Sequence, residues 1–567
     1  MKTPPGVAIL LSTPLLALTA SLLLAEDVDL ATVHRIKAEA FQGSKVMDHL
    51  FWLTDVNGPR LTGSPGFRAA ADWAVQNLRG WGAAGARLEK WGTFGRGWSM
   101  SRFSAHMTAP TYAPLPGVPK AWSGGTNGPV SGEAVYAPLI PKDETRQPLD
   151  VEKLEARIRQ YGEQQKGRLG GKVVLITAPR ELEPPTEAAS LRYDETRLTS
   201  IAAAPHPFAS PLLEWPVTRL PVEPKELQQF WESAPLEVSA DYWAQEERVA
   251  GRLNALFKEE GVLAVLGTDP RGEGGVVFAE NGGSWEAGTP VPPPIVALAP
   301  EPYDRMVRLV EKKVPVKVEV ELDARFHDDA PDGVNVVAEI PGGKKKDEIV
   351  MLGAHLDSWH AGMGATDNAA GCAVVLEAFR ILKALGLTMD RTVRLALWSG
   401  EEQGLFGSRG YVKEHFGDPV TMALKPEHAK LAGYFNVDNG TGKVRGVYLQ
   451  GNDMVRPIFE AWLAPFRDLG ATTLSIRNTR GTDHESFDAV GLPGFQFIQD
   501  PLDYGSRTHH STLDVYDHVQ SADLMQASAV LASFVYDAAT RPDKLPRKPL
   551  PKPLPPKKAD KPAKAGG

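Results

Sequence analysis

The 567-residue chain has a single cysteine, Cys372, so no intrachain disulfide can form and stability must come from the core and from polar or metal contacts. It also has no excess of positive charge. The formal net charge is −8, which gives a polyanion nothing to bind and argues against a nucleic-acid partner. Beyond residue 25 there is no apolar run long enough to span a bilayer. The first residues differ. Lys2 precedes a Leu-, Ala- and Val-rich run over 7–25, interrupted by Ser12, Thr13 and Pro14 and followed by Glu26 and Asp27. This is the pattern of a cleavable export signal over 1–25, with Ala20 or Ala25 as the cleavage point and an uncleaved anchor as the alternative. The expectation is an exported protein, periplasmic or secreted, with no stable membrane span after cleavage.

What is present is ordinary for a folded protein: 42% hydrophobic and 23% charged residues, in a chain too long for one core. Apolar positions recur at helical spacing over 46–81, divided by a turn at 57–65. Alternating segments at 86–91 and 103–107 read as strands at the edge of a sheet. From 121 to 325 the chain is rich in Pro and Gly, with short apolar runs at 172–177 and 262–266, which suggests a separate β-rich unit. From 333 to 542 strands and helices alternate, with strands at 335–340, 349–354, 392–398 and 431–437. That is an α/β architecture, a sheet sandwiched by helices on both faces. The tail over 541–567 is dominated by Pro, Lys and Ala and is expected to be disordered.

Such sheets bind ligands outside the carboxyl ends of their strands. Here those ends carry chemistry. His355 and Asp357 follow one apolar run, Glu401 and Glu402 another, and Asp438 a third; Asp367 opens the helix after the first, and His509 and His510 lie in a loop after a strand at 495–498. Each has an unremarkable reading. A His-X-Asp can be a surface feature, Asp367 a helix N-cap and Glu401-Glu402 a solvated pair. Repetition at successive strand ends favours metal: two imidazoles and three carboxylates are the N and O donors that paired zinc ions take. Cys372, a turn into an apolar helix, reads as a small buried hydrophobe.

These residues, with Leu53-Thr54-Asp55, Gly58-Pro59-Arg60-Leu61, Asp367-Asn368 and Thr482-Asp483-His484, resemble the di-zinc aminopeptidase family. That family includes bacterial leucyl aminopeptidases, plasma glutamate carboxypeptidase and glutamate carboxypeptidase II. The resemblance covers about 46–538, and the insertion points to the plasma glutamate carboxypeptidase branch. It implies a phosphorylase/hydrolase-like zinc exopeptidase fold. The catalytic domain would span 26–120 and 326–540, and an inserted protease-associated domain would span 121–325.

It also implies two zinc ions, one on His355 and Asp438, one on Glu402 and His510, with Asp367 shared. Glu401 would be the general base, and Asp357 would fix the tautomer of His355 through its second ring nitrogen. A cis Asp367–Asn368 peptide is implied as well. Relatives often carry Tyr before the last histidine ligand; this chain has His509, so the oxyanion role falls to His509 or to another group. The expected function is hydrolysis of the terminal bond of peptides or dipeptides, as aminopeptidase or dipeptidase, with a glutamate carboxypeptidase-type activity as the alternative. A homodimer is compatible with this class. A receptor-like relative without catalysis would have lost ligands, and all five are here; a single-zinc cyclase is disfavoured by the pairing of His355 with Asp438.

Overall fold

The computed structural model describes residues 26–140, 151–179, 188–208 and 236–553. The expected export signal and the tail beyond 553 lie outside the described residues. The chain forms two eight-stranded mixed sheets with helices.

The first sheet runs in the order Ala84–Thr93, Asp332–Ile340, Arg391–Trp398, Lys345–His355, Leu431–Asn436, Gly494–Gln499, Val444–Tyr448, Thr473–Ser475. Its four central strands, from Arg391–Trp398 to Gly494–Gln499, are mutually parallel, so their carboxyl ends share one edge. Alternation along each strand divides the side chains between two cores. Val350, Leu352 and Ala354 face a cluster built on helices Ala370–Ala384 and Ser521–Thr540. Ile349 and Met351 face the opposite cluster with Trp398, Tyr411, Tyr434 and Phe487. Burial on both faces is why these strands read as continuous apolar runs rather than alternating ones.

The second sheet is ordered Ala113–Pro114, Gly97–Ala109, Lys317–His327, Val130–Ile140, Val173–Thr177, Ala264–Gly267, Ile295–Leu298, Gly117–Pro119. Two findings differ from the sequence reading. The strand around 103–107, read as sharing a sheet edge with 86–91, pairs along Lys317–His327 in this second sheet. Alternation fixes which face of a strand is apolar and leaves its partner open. The segment 121–325 is also more helical than its Pro and Gly content suggests. Helices Val151–Gln165 and Leu236–Glu259 cover its parallel strands through Leu154, Ile158, Leu253 and Phe257.

The Pro- and Lys-rich tail departs from expectation at its start. Leu545 is buried, and Arg391 donates to the carbonyls of Arg541 and Pro542, so this stretch lies along the fold. Among the described residues no helix is long and apolar enough to cross a membrane.

Candidate metal centre

The shared edge of the four parallel strands collects the candidate ligands. His355 is the last residue of Lys345–His355. Glu401 and Glu402 follow Arg391–Trp398 through Ser399 and Gly400, whose φ of +67° suits glycine and turns the chain back over the edge. Asp438 stands two residues beyond Leu431–Asn436. His509 and His510 come after the π-helical turn Tyr504–Thr508. Asp367 lies in the π-helical turn Ala365–Ala369, and its bond to Asn368 is cis, as the resemblance implied. The helix-cap alternative for Asp367 is removed, because Asn368 Oδ1 accepts from Gly371 N at 3.1 Å and leaves the Asp367 carboxylate free.

Asp367 stands between two donor sets. Its Oδ1 is 3.1 Å from His355 Nε2, which is 3.5 Å from Asp438 Oδ2. Its Oδ2 is 3.1 Å from His510 Nε2, which is 3.0 Å from Glu402 Oε2. Oδ2 is buried with the imidazole nitrogens of His510 and His509 beside it, a setting in which a carboxylate oxygen gains from a bound cation. Donor atoms of His355, Asp367 and Asp438 lie within 4.8 Å of one another, as do those of Asp367, His509 and His510. His509 Nε2, 3.6 Å from Asp367 Oδ2, is therefore a nearby nitrogen that sequence reasoning did not place among the ligands. Every donor is an N or O atom of the kind zinc accepts.

The electrostatics agree with a cation site. Burial, then Asp438, Asp483 and Glu402 nearby, push Glu401 well above the usual carboxylate range despite His355. Burial and Asp367 raise Glu402 to about 8. Among the described residues each ion-pair partner of Asp367, Glu402 and Asp438 is a histidine, and the buried Arg60 spends its donors on backbone carbonyls, so the repulsion among the acids meets no directly paired guanidinium or ammonium group. A divalent cation would relieve that repulsion. Burial and the neighbouring His510 hold His509 down at about 3, a neutral ring stacked 3.7 Å from its neighbour.

Residues around the ligands hold them in place. Asp357 departs from its expected role: His355 Nδ1 is 3.0 Å from the Asp357 backbone carbonyl and 3.8 Å from its carboxylate. The carboxylate is instead turned to Thr62 Oγ1 at 2.8 Å and to the amides of Glu401 and Glu402, both at 3.3 Å. It therefore sets the Glu401-Glu402 turn. Arg60, fully buried, donates to the carbonyls of Leu53, Leu356, Met363 and Gly364 and ties the first helices to the loop between His355 and Asp367. Asp514 accepts from Thr366, whose hydroxyl lies 2.8 Å from that of Thr508, linking the Asp367 and His510 loops. Cys372 is buried, with Sγ 2.9 Å from the His355 carbonyl.

Residues 335–535 match the model of Peptidase family M28. Within that segment the chain is similar to the family. Every candidate ligand and Glu401 lie inside this matched segment. The chain is 32% identical over 254 residues to bovine carboxypeptidase Q, covering 45% of this chain and 51% of the relative. It is 30% identical over 207 residues to aminopeptidase YwaD of Bacillus subtilis, covering 35% of this chain and 43% of the relative. The chain thus spans about half the length of the curated relatives it matches. In fold it is similar to an M28 peptidase precursor from Shewanella amazonensis, with a TM-score of 0.61 at 23% identity over 92% of this chain and 98% of that one. An aminopeptidase from Aneurinibacillus sp. strain AM-1 gives a TM-score of 0.50 at 19% identity over 92% and 99%.

Two further residues of this centre escaped sequence reasoning. Tyr504 is buried against His509 at 4.9 Å between rings, and burial and then Asp367, Asp438, Glu402 and Glu401 hold its hydroxyl well above the usual range. The π-helical turn returns it to the site five residues before His509, a spacing no motif advertises. Glu280 reaches His510 Nδ1 at 2.8 Å from outside the matched segment.

Proposed function

We propose that the protein is an exported zinc-dependent exopeptidase that hydrolyses the terminal bond of peptides or dipeptides. The observation that carries this reading is the division of the Asp367 carboxylate, Oδ1 toward His355 and Asp438, Oδ2 toward His510 and Glu402. In it His355 and Asp438 would hold one zinc and Glu402 and His510 the other, with Asp367 available to both. The names of the relatives, carboxypeptidase Q and aminopeptidases, support the reaction class. The segment 121–325 is read as an inserted protease-associated domain and 1–25 as a cleaved export signal.

When bound, the two zinc ions would polarise the scissile carbonyl and acidify a water molecule. Glu401 does the proton work. Its carboxylate approaches the donor set only at 4.0 Å from His355 Nε2, so it is free to take a proton from water and pass it to the leaving amine. Asp357 keeps Glu401 and Glu402 apart in function by holding both backbone amides, so that one carboxylate faces His510 while the other stays free. Tyr504 and the neutral His509 stand beside the site as donors for the developing oxyanion.

The test is a screen of the purified chain against free, N-acetylated and C-amidated dipeptides, with metal content measured on the same samples. Cleavage that needs a free α-amino group and tolerates C-amidation makes it an aminopeptidase. Cleavage of N-acetylated but not C-amidated peptides makes it a carboxypeptidase. Metal-loaded protein that hydrolyses none of them sinks the proposal.

A further inference from the structure

The two histidines of the centre are anchored differently. His355 Nδ1 meets a backbone carbonyl two residues away, Asp357 O, within the M28 segment. His510 Nδ1 instead meets a carboxylate 230 positions away, Glu280, which belongs to the 121–325 segment. The approach is built rather than incidental. Thr512 N donates to the Val277 carbonyl at 2.9 Å, Ala279 N donates to the His510 carbonyl at 3.1 Å, and Phe278 pairs with Ser511 in an antiparallel bridge. This short seam runs alongside the metal loop and delivers Glu280 at its end.

The carboxylate is itself held. Glu280 Oε1 also accepts from Arg271 Nη2 at 3.0 Å, and Arg271 is fixed by Asp269 through Nε at 2.9 Å and Nη2 at 3.0 Å. The guanidinium lies 4.6 Å above the Phe278 ring. A ring nitrogen donating to a clamped carboxylate fixes both tautomer and ring orientation, which leaves Nε2 as the lone pair facing Asp367 and Glu402.

We propose that Glu280, clamped by Arg271, is a positioning residue for one metal site only: it aims His510 Nε2 at the Asp367–Glu402 side, and through it the 121–325 segment becomes part of the metal centre. The inference rests on His510 being a ligand. It goes beyond that reading by making the affinity of one ion, and not the other, depend on a residue outside the M28 segment.

The experiment uses the full chain loaded with zinc and titrated with a chromophoric chelator, comparing wild type, Glu280→Ala, Glu280→Gln and Thr512→Val. Glu280→Ala is expected to hold one ion as wild type does and to release the other with affinity weakened by about 10- to 100-fold. Glu280→Gln, which can still accept a hydrogen bond but carries no charge, is expected between the two. Thr512→Val removes a 3.3 Å bond from Val277 N in the same seam without touching the ring, and is expected to keep both ions. Lost kcat in Glu280→Ala should return with excess zinc. If both Glu280 variants hold two ions as tightly as wild type, or if Thr512→Val loosens zinc as much as they do, Glu280 is not positioning His510. Should Glu280→Ala fail to fold, Glu280→Gln alone decides between these outcomes. A wild-type chain that binds no zinc overturns the ligand reading of His510, and this inference with it.

Discussion

Two regions of the first sheet gather histidine and acids, and they behave oppositely. At one, His415 lies between Glu89 at 2.6 Å and Glu427 at 3.2 Å, and Arg394 reaches Glu339 at 2.6 Å and Glu427 at 2.9 Å. There the hydrogen bond from His415, and then Arg394, draw Glu427 down to about 2. His415, which burial alone would lower, is raised to about 9 by Glu427 and Glu89. At the strand ends the acids move the other way, with Glu402 at about 8 and Asp483, buried near Asp438 and Asp357, at about 7. In the first cluster guanidinium groups pair directly with the acids, Arg394 with Glu339 and Glu427 and Arg87 with Glu89. They turn the first cluster into a structural ion network, whereas among the described residues the ion pairs of Asp367, Glu402 and Asp438 are all with histidines, a set that a cation from outside would complete.

The largest effect that sharpens this contrast is on turnover. Glu401→Gln keeps the shape of the side chain but cannot accept a proton at neutral pH, so kcat should fall by at least about 10² to 10⁴ with zinc content unchanged. Near-normal kcat would remove Glu401 as the base. Next is Tyr504→Phe, for which losing one oxyanion donor should cost roughly 10² to 10³ in kcat. If Tyr504→Phe is silent and His509→Ala carries that loss while keeping both ions, the oxyanion role belongs to His509.

Removing metal should also separate the regions. Chelation is expected to lower the thermal midpoint of wild type, because a ligand at 100 times its Kd stabilises by about 2.7 kcal/mol. The shift should persist in His415→Gln and shrink in Asp367→Asn. An equal shift in Asp367→Asn would place the stabilising ion elsewhere.

Much of this centre was legible because parallel strands buried on both faces advertise their own ends. His355 and Glu401-Glu402 each follow an uninterrupted apolar run, and Asp438 does too, so their convergence could be argued from the sequence. What stayed hidden depends on geometry that pattern does not encode. Asp357 could be placed beside His355, but only the turn at Gly400 decides that its carboxylate meets the amides of Glu401 and Glu402. Tyr504 returns to the site through a π-helical turn, and Glu280 through a contact between distant segments. The partner of strand Gly97–Ala109 is likewise a choice of pairing that its own alternation leaves open.

The smallest effect belongs to the ion network. Because the folded pKa of His415, about 9, lies above the ordinary 6.5, its stabilisation is complete below about pH 6.5 and is lost as pH rises through 9. With the side chain 23% exposed, screening keeps the contribution on the order of 1 kcal/mol. His415→Gln should therefore differ most from wild type near pH 6 and converge with it by pH 10, with unchanged zinc content. A gap that widens at high pH would reverse the assigned charge of His415.

The sharing of Asp367 between two donor sets is tested most directly by counting zinc. Elemental analysis of the loaded chain should give about two ions per chain for wild type, about one for His355→Ala and about one for His510→Ala, since each variant breaks one set and spares the other. A single ion in wild type, or the loss of both ions in either histidine variant, would contradict two sites joined through Asp367.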